Sequence, residues 1–271
     1  MFRIALAIIF FFTVMDSVAF AAPSAKDFGS LPALHDAALS PDGGEIAVLV
    51  NNNGQYVVRV MPLDNLKDTS RLIGLGSKMK PEYLKWVNNG RLIISFWQSE
   101  KIYDTPIRTG YLFSLDTEKM TGKILVSPSE DSVGIGSTTD VVFRQFNNNV
   151  VDWLEDDPEN ILMSFGDDNN RQPDLRRVNV ETGRDTIVKR GLRNVQSWQT
   201  DLRGEPRIGQ GRRDKDGEWV LRIRDADDDK WRFSDEYPGL SAGADIHGFT
   251  GDTNELIVSS YQGRDTIGLY V

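Results

Sequence analysis

Cysteine is absent from all 271 residues. That excludes disulfide staples, thiolate nucleophiles and Cys-ligated metals. Histidine occurs only twice, at His35 and His247, each near an acid, Asp36 and Asp245. A triad or a metal site needs a matched set of groups held together. These two histidines precede strands in different units, with no metal-ligand spacing, and read as ordinary strand-entry residues. Beyond the N-terminus there is no second long apolar run to hold the chain in a membrane, and no sustained helical periodicity. Positive charge is also scarce: 31 Lys and Arg stand against 40 Asp and Glu, a net charge of −9, with a pI near 4.9. That balance argues against a nucleic-acid backbone or an anionic membrane surface as the main partner. No motif requires a cofactor.

What is present describes a soluble globular chain. Hydrophobic residues make up 39% and charged residues 26%, enough to bury a core. The length fits two average domains or one large all-β domain. Residues 1–22 read MFRIALAIIFFFTVMDSVAFAA. Arg3 precedes an apolar run from Ile4 to Met15 that is shorter than the roughly 20 residues a spanning helix needs. Ala19-Phe20-Ala21 places small residues where a signal peptidase reads. The pattern predicts a signal peptide over 1–21 and an exported mature chain, periplasmic or secreted, from residue 22 onward.

The mature chain repeats itself. Leu39 begins LSPDGGEIAVLV, Trp86 WVNNGRLIISF, Trp153 WLEDDPENILMSF, Trp198 WQTDLRGEPRIGQ and Phe249 FTGDTNELIVSSY. Each has a large apolar residue, a turn rich in Asp, Asn, Gly or Pro, then an apolar strand; PRIGQG is the weakest. The spacings are 47, 67, 45 and 51 residues, three of them near the roughly 40–50 residues of a propeller blade. The long interval holds SPSEDSVGIGSTTDVVF (127–143), which reads as an inserted loop and strand. Each unit has a second half: QYVVRVMPL, TGYLFSLDTEKMTGKILV, DLRRVNVETGRDTIV and EWVLRIRDADDDKWRF. Turns at Thr182-Gly183 and Asp227-Asp228-Asp229 would make each a strand pair. The pattern predicts an all-β partial β-propeller over 22–271, with about five four-stranded blades. The fifth stops at Val271 on what reads as its third strand, so the sequence is expected to be a fragment of a longer protein.

Weaker motifs have simpler readings. DADDDKWRFSDE (225–236) spaces acids like a calcium loop, but Lys230 stands where the loop needs Gly. It reads as a solvated hairpin turn. GLGSKMK (74–80) lacks the spacing of a phosphate loop. Trp86, Trp153 and Trp198 occupy equivalent positions and read as inter-blade packing, whereas Trp97, Trp219 and Trp231 are less placed and suit a surface. Glu155-Asp156-Asp157 and Asp167-Asp168 read as turn residues able to attract a basic partner or a peptide N-terminus.

The segments LSPDGGEIAVLV, VVDWLEDDPENILMSF and VNVETGRDTIV, with the Trp198-x-x-Asp201-x-x-Gly204 pattern, resemble the propeller of bacterial prolyl oligopeptidase family serine peptidases. The acylaminoacyl-peptidase and dipeptidyl-aminopeptidase-like branch is the nearer match. The resemblance covers roughly residues 28 to 271. It implies an exported two-domain enzyme whose propeller admits short peptides to an α/β-hydrolase domain carrying the Ser-Asp-His triad. That domain is expected to be missing here. No serine in this chain sits in the Gly-x-Ser-x-Gly frame of a nucleophile elbow, and GIGSTTD (134–140) fails at both ends. No catalytic, cofactor-binding or metal-ligating residue is therefore assigned, and the chain alone is expected to be inactive. A stand-alone exported propeller that binds a ligand or a protein partner is the other reading.

Overall fold

The computed structural model describes residues 24–66, 71–102, 104–126, 145–166, 172–213, 215–237, 240 and 244–271. The chain divides into two units, 1–33 and 34–271. Of the first, the described part is a single helical turn, Ala25–Gly29. The described residues of the second form strands and turns, with one 3-10 turn at Ser234–Glu236.

Its strands fall into five sheets in chain order. Blade 1 is β1 (Leu34–Leu39), β2 (Glu45–Asn52), β3 (Gln55–Pro62) and β4 (Arg71–Gly74). Blade 2 is β5 (Lys80–Asn88), β6 (Arg91–Ile102), β7 (Thr105–Asp116) and β8 (Thr121–Ile124). Blade 3 is β10 (Val150–Asp152), β11 (Asn160–Phe165), β12 (Asp174–Asn179) and β13 (Asp185–Lys189), β9 being Phe146–Asn147 before it. Blade 4 is β14 (Ser197–Thr200), β15 (Pro206–Arg212), β16 (Trp219–Arg224) and β17 (Trp231–Phe233). Blade 5 has three strands, β18 (Asp245–Phe249), β19 (Leu256–Ser260) and β20 (Gly268–Tyr270). Within each blade, consecutive strands pair antiparallel as a meander. First strands of neighbouring blades touch, β1 against β5 and β10 against β14. This is a partial β-propeller.

The sequence of the second strands explains why the sheets stack. A sheet covered on one face alternates apolar and polar residues; one covered on both reads as a continuous apolar run. In β6, Leu92 and Ile94 face blade 1, in one core with Ala47, Leu49, Val58 and Val60. Ile93, between them, points the other way, into a core with Ile161, Met163, Phe165 and Val178 of blade 3. Leu162 and Leu175 turn to the next core, with Val195 and Trp198 of blade 4. PRIGQG, weak by composition, is buried along most of its length as β15. Its two glycines allow close approach: a Cβ on Gly209 would lie 2.8 Å from Val195 Cγ2, and one on Gly211 would lie 1.9 Å from the Asn194 carbonyl.

The turn between first and second strands is built the same way in every blade. A side-chain oxygen of Asp42, Asn88, Asp157, Asp201 or Asp252 accepts the backbone N–H two residues on. This local bond is why Asp and Asn recur there. Call the rim bearing these turns, and those joining third to fourth strands, the upper rim. The lower rim then bears the hairpins between second and third strands and the crossings from blade to blade.

One expectation changes and one pairing is new. His35 and His247 lie within the first strands β1 and β18 and do not precede them, because the polar turn starts later than the apolar pattern implied. β9 pairs parallel to β7 at Gly110 and Tyr111, a long-range contact that no local pattern announces. The stretches 127–143 and 167–168, and the signal peptide expected over 1–21, lie outside the described residues.

Candidate functional site

Two upper-rim turns and the end of a first strand meet around an open cavity of about 660 Å³, in the size range of ligand pockets. Blade 3 contributes Trp153 to Asp157, blade 4 Thr200 to Gly204 and blade 5 His247 to Phe249; Lys85 of blade 2 also lines it.

Each wall is fixed by an identifiable contact. Asp152 accepts the Leu154 N–H at 2.8 Å and the Thr200 hydroxyl, joining blades 3 and 4. Trp153 is half-buried; its ring meets the edge of Tyr83 at 6.3 Å, and the Lys85 ammonium lies 5.9 Å from its centroid. Burial, chiefly, raises the Tyr83 phenol pKa above its ordinary value. Asp201 is buried and accepts the N–H groups of Arg203 and Glu205 at 3.0 and 3.1 Å. Its second oxygen meets the guanidinium of Arg207, also buried, at 3.1 Å. Arg207 further donates to the Arg224 carbonyl and to Asn254 Oδ1 of blade 5, and lies 4.9 Å from the Phe249 ring centroid. Gly204 has φ +76°, and a Cβ there would lie 2.3 Å from Leu154 Cδ2. The Trp198-x-x-Asp201-x-x-Gly204 pattern thus has a physical meaning. Trp198 donates its indole N–H to the Pro173 carbonyl of blade 3 at 2.8 Å, Asp201 shapes the turn, and Gly204 lets blade 3 close on it.

Charges in the mouth are of both signs. Asp157 is paired with Arg177 at 3.3 Å. Glu155, Asp156, Lys85 and Arg203 have no ion pair among the described residues, and His247 Nε2 lies 2.9 Å from Ser259 Oγ. Such a mouth can hold an extended polar chain by charge and hydrogen bonds. Among the described residues no three His, Cys, Asp or Glu converge to hold a metal ion.

The other singled-out residues serve the scaffold. Trp86 donates its indole N–H to the Ala38 carbonyl of blade 1 at 3.0 Å, the counterpart of the Trp198 bond. In the stretch 225–236, Arg232 takes the carboxylates of Asp225 and Asp228, and Tyr237 donates to Asp225. Asp228 is held below the ordinary carboxylate range, first by the Lys230 N–H it accepts. GLGSKMK is a tight turn closed by Met79 N–H to the Gly76 carbonyl, leading into a strand. Trp231 packs edge-on against Trp198 at 5.3 Å. Trp97 and Trp219 sit on the lower rim under Arg108 and Arg212.

No protein-family model matches this chain, and no curated protein matches it. Solved structures resembling it include an acylaminoacyl peptidase in complex with Z-Gly-Gly-Phe-chloromethyl ketone, at 13% identity and a TM-score of 0.44, over 84% of this chain and 36% of that one. The tricorn protease matches at 16% identity and 0.41, over 86% and 20%. The β-propeller domain of the Trilobed protease from Pyrococcus furiosus matches at 12% and 0.43, over 88% and 70%. The chain thus spans about a third of the first and a fifth of the second. Likeness at this level carries no argument about activity.

Proposed function

We propose that this chain is the propeller portion of an exported serine peptidase of prolyl oligopeptidase type, acting with an α/β-hydrolase domain that cleaves short peptides. One observation carries the reading. Of the three specific segments of the resemblance, DWLEDDPENILM, VNVETGR and Trp198-x-x-Asp201-x-x-Gly204, the first and third, far apart in sequence, bring Asp152 to Asp157, Asp201 and Gly204 to the upper-rim cavity. In this reading the cavity is the mouth through which peptides reach the hydrolase, and the turns that build it set its width. Export follows from the signal peptide over 1–21. The unpaired charges of both signs also favour a second reading, a stand-alone propeller that binds a polar ligand at the same mouth.

Reading the coding frame beyond Val271 tests the proposal. It should run through further blades into a Gly-x-Ser-x-Gly elbow. A stop codon directly after Val271 would overturn the peptidase reading and leave the binding propeller. The 271-residue chain by itself should not hydrolyse aminoacyl or acyl-peptide chromogenic substrates.

A further inference from the structure

Blade 5 breaks its ladder at the cavity. The register between β18 and β19 shifts between Ile246 and Gly248, which leaves His247 as an extra residue in a bulge. Gly248 makes the bulge at φ +147°, a value that L side chains rarely adopt. In an unbroken ladder Phe249, two residues on, would share the face of His247. The bulge separates them. Phe249 is 7% exposed, with the Arg207 guanidinium 4.9 Å from its ring centroid, while His247 is exposed and lines the cavity. Bulges re-aim side chains in this way beside functional sites.

The re-aimed ring is also held. His247 Nε2 lies 2.9 Å from Ser259 Oγ. A hydroxyl that donates to Nε2 leaves the ring proton on Nδ1, which has no partner among the described residues. Donors enter the cavity from three blades: Lys85 of blade 2, Arg203 of blade 4 and His247 of blade 5. Its unpaired acids, Glu155 and Asp156, come from a single turn of blade 3. An anion in the cavity therefore meets donors on several sides and acids on one. Apolar surface stands beside the donors, in the half-buried Trp153 and in Leu202, 70% exposed on its turn.

We propose that the upper-rim cavity is a binding site for a small carboxylate that carries an apolar group. The carboxylate accepts from His247 Nδ1 and from the Arg203 guanidinium, and Lys85 adds its charge. The apolar group lies against Leu202 and Trp153. The site belongs to the propeller itself and does not depend on the peptidase reading.

The test titrates the full-length protein with hydrocinnamate, a carboxylate on an aromatic body, and follows the His247 imidazole signals by NMR. They should shift saturably, while those of His35, packed against Tyr56 in blade 1, stay still. Hydrocinnamamide has the same shape without the charge and should bind about tenfold more weakly. In calorimetry, Arg203→Ala and His247→Ala should each weaken hydrocinnamate binding about tenfold. Both side chains are exposed, so these variants should fold. His247→Asn, whose amide places an N–H near the position of Nδ1, should restore most of the affinity. Ser259→Ala should weaken binding less, by releasing the ring. An Ala-Ala-Leu tripeptide binding more tightly than hydrocinnamate would put the carboxylate at a peptide end; weaker binding would put it on a free acid. No saturable shift, equal affinity for acid and amide, or undiminished binding in Arg203→Ala and His247→Ala would overturn the site and leave the peptidase reading untouched.

Discussion

Replacing Arg207 by Leu should be among the most damaging single changes available to this propeller. The side chain is 2% exposed and makes three hydrogen bonds: Nε to the Arg224 carbonyl at 2.6 Å, Nη1 to Asp201 at 3.1 Å and Nη2 to Asn254 at 3.1 Å. Asp201, 5% exposed, would keep its two backbone donors but lose its counter-charge. Breaking a buried pair from one side costs about 3–5 kcal/mol, because the remaining charge stays desolvated. Asp201→Asn should also destabilise, since it sets an amide against the guanidinium. The double variant D201N/R207L buries no charge, so its cost should fall short of the sum by about 2 kcal/mol. Arg207→Lys should lie between wild type and Arg207→Leu, because an ammonium cannot serve three fixed acceptors as the guanidinium does. Urea unfolding followed by tryptophan fluorescence, with Trp198 and Trp231 close by, reads each midpoint at constant slope. The reasoning is refuted if Arg207→Leu costs under about 1 kcal/mol, or if the singles add to the double within about 0.5 kcal/mol.

Gly204→Ala should destabilise by about 1–2 kcal/mol, since φ is +76° and the new methyl meets Leu154; a thermal midpoint equal to or above wild type would refute this. Alkaline pH should weaken the fold. Burial, first, and the Glu100 carboxylate that accepts the Tyr111 hydroxyl at 2.6 Å push the Tyr111 phenol from 10.0 up to about 12. The stability from keeping it neutral is complete below pH 10 and lost between pH 10 and 12. Urea midpoints should fall across that window, and more gently in Tyr111→Phe, which should cost about 1 kcal/mol at neutral pH for the lost bond. An identical alkaline slope in both proteins would sink the assignment.

The blades were legible in the sequence because a blade writes itself locally. The turn residues Asp42, Asn88, Asp201 and Asp252 and the apolar runs after them each reflect contacts a few residues away. PRIGQG was the faint case because glycine serves packing by what it lacks. The bonds between blades were not legible as pairs, though the spacing of some of them was. Asp42–Asn89 and Arg207–Asn254 span 47 residues, Ala38–Trp86 and Asp152–Thr200 span 48, close to three of the four repeat spacings, whereas Asn88–Pro158 spans 70 and Trp198–Pro173 spans 25. A period shows that blades stack but not which side chain of one turn reaches the next. The mouth was equally hidden. Trp198, Asp201 and Gly204 were flagged as a family pattern, but Arg207 carried no signal, because an Arg in a short strand usually faces water.

The bonds between neighbouring turns run mostly along the upper rim: Asp42 N–H to Asn89, Asn88 to the Pro158 carbonyl, Thr200 to Asp152, and Asn254 accepting from Arg207 and the Ala226 N–H. The propeller is therefore bound like a book along one spine. Towards the other edge the ties are fewer: Asn148 donates to Glu82 and Ser95 of blade 2, β9 pairs with β7, and Trp198 bonds the Pro173 carbonyl. The cavity lies beside the spine, where these bonds hold its lining turns of blades 3 and 4 to one another. In a molecule built this way, loosening a single turn-to-turn bond would be felt first at the cavity and only then at the opposite edge.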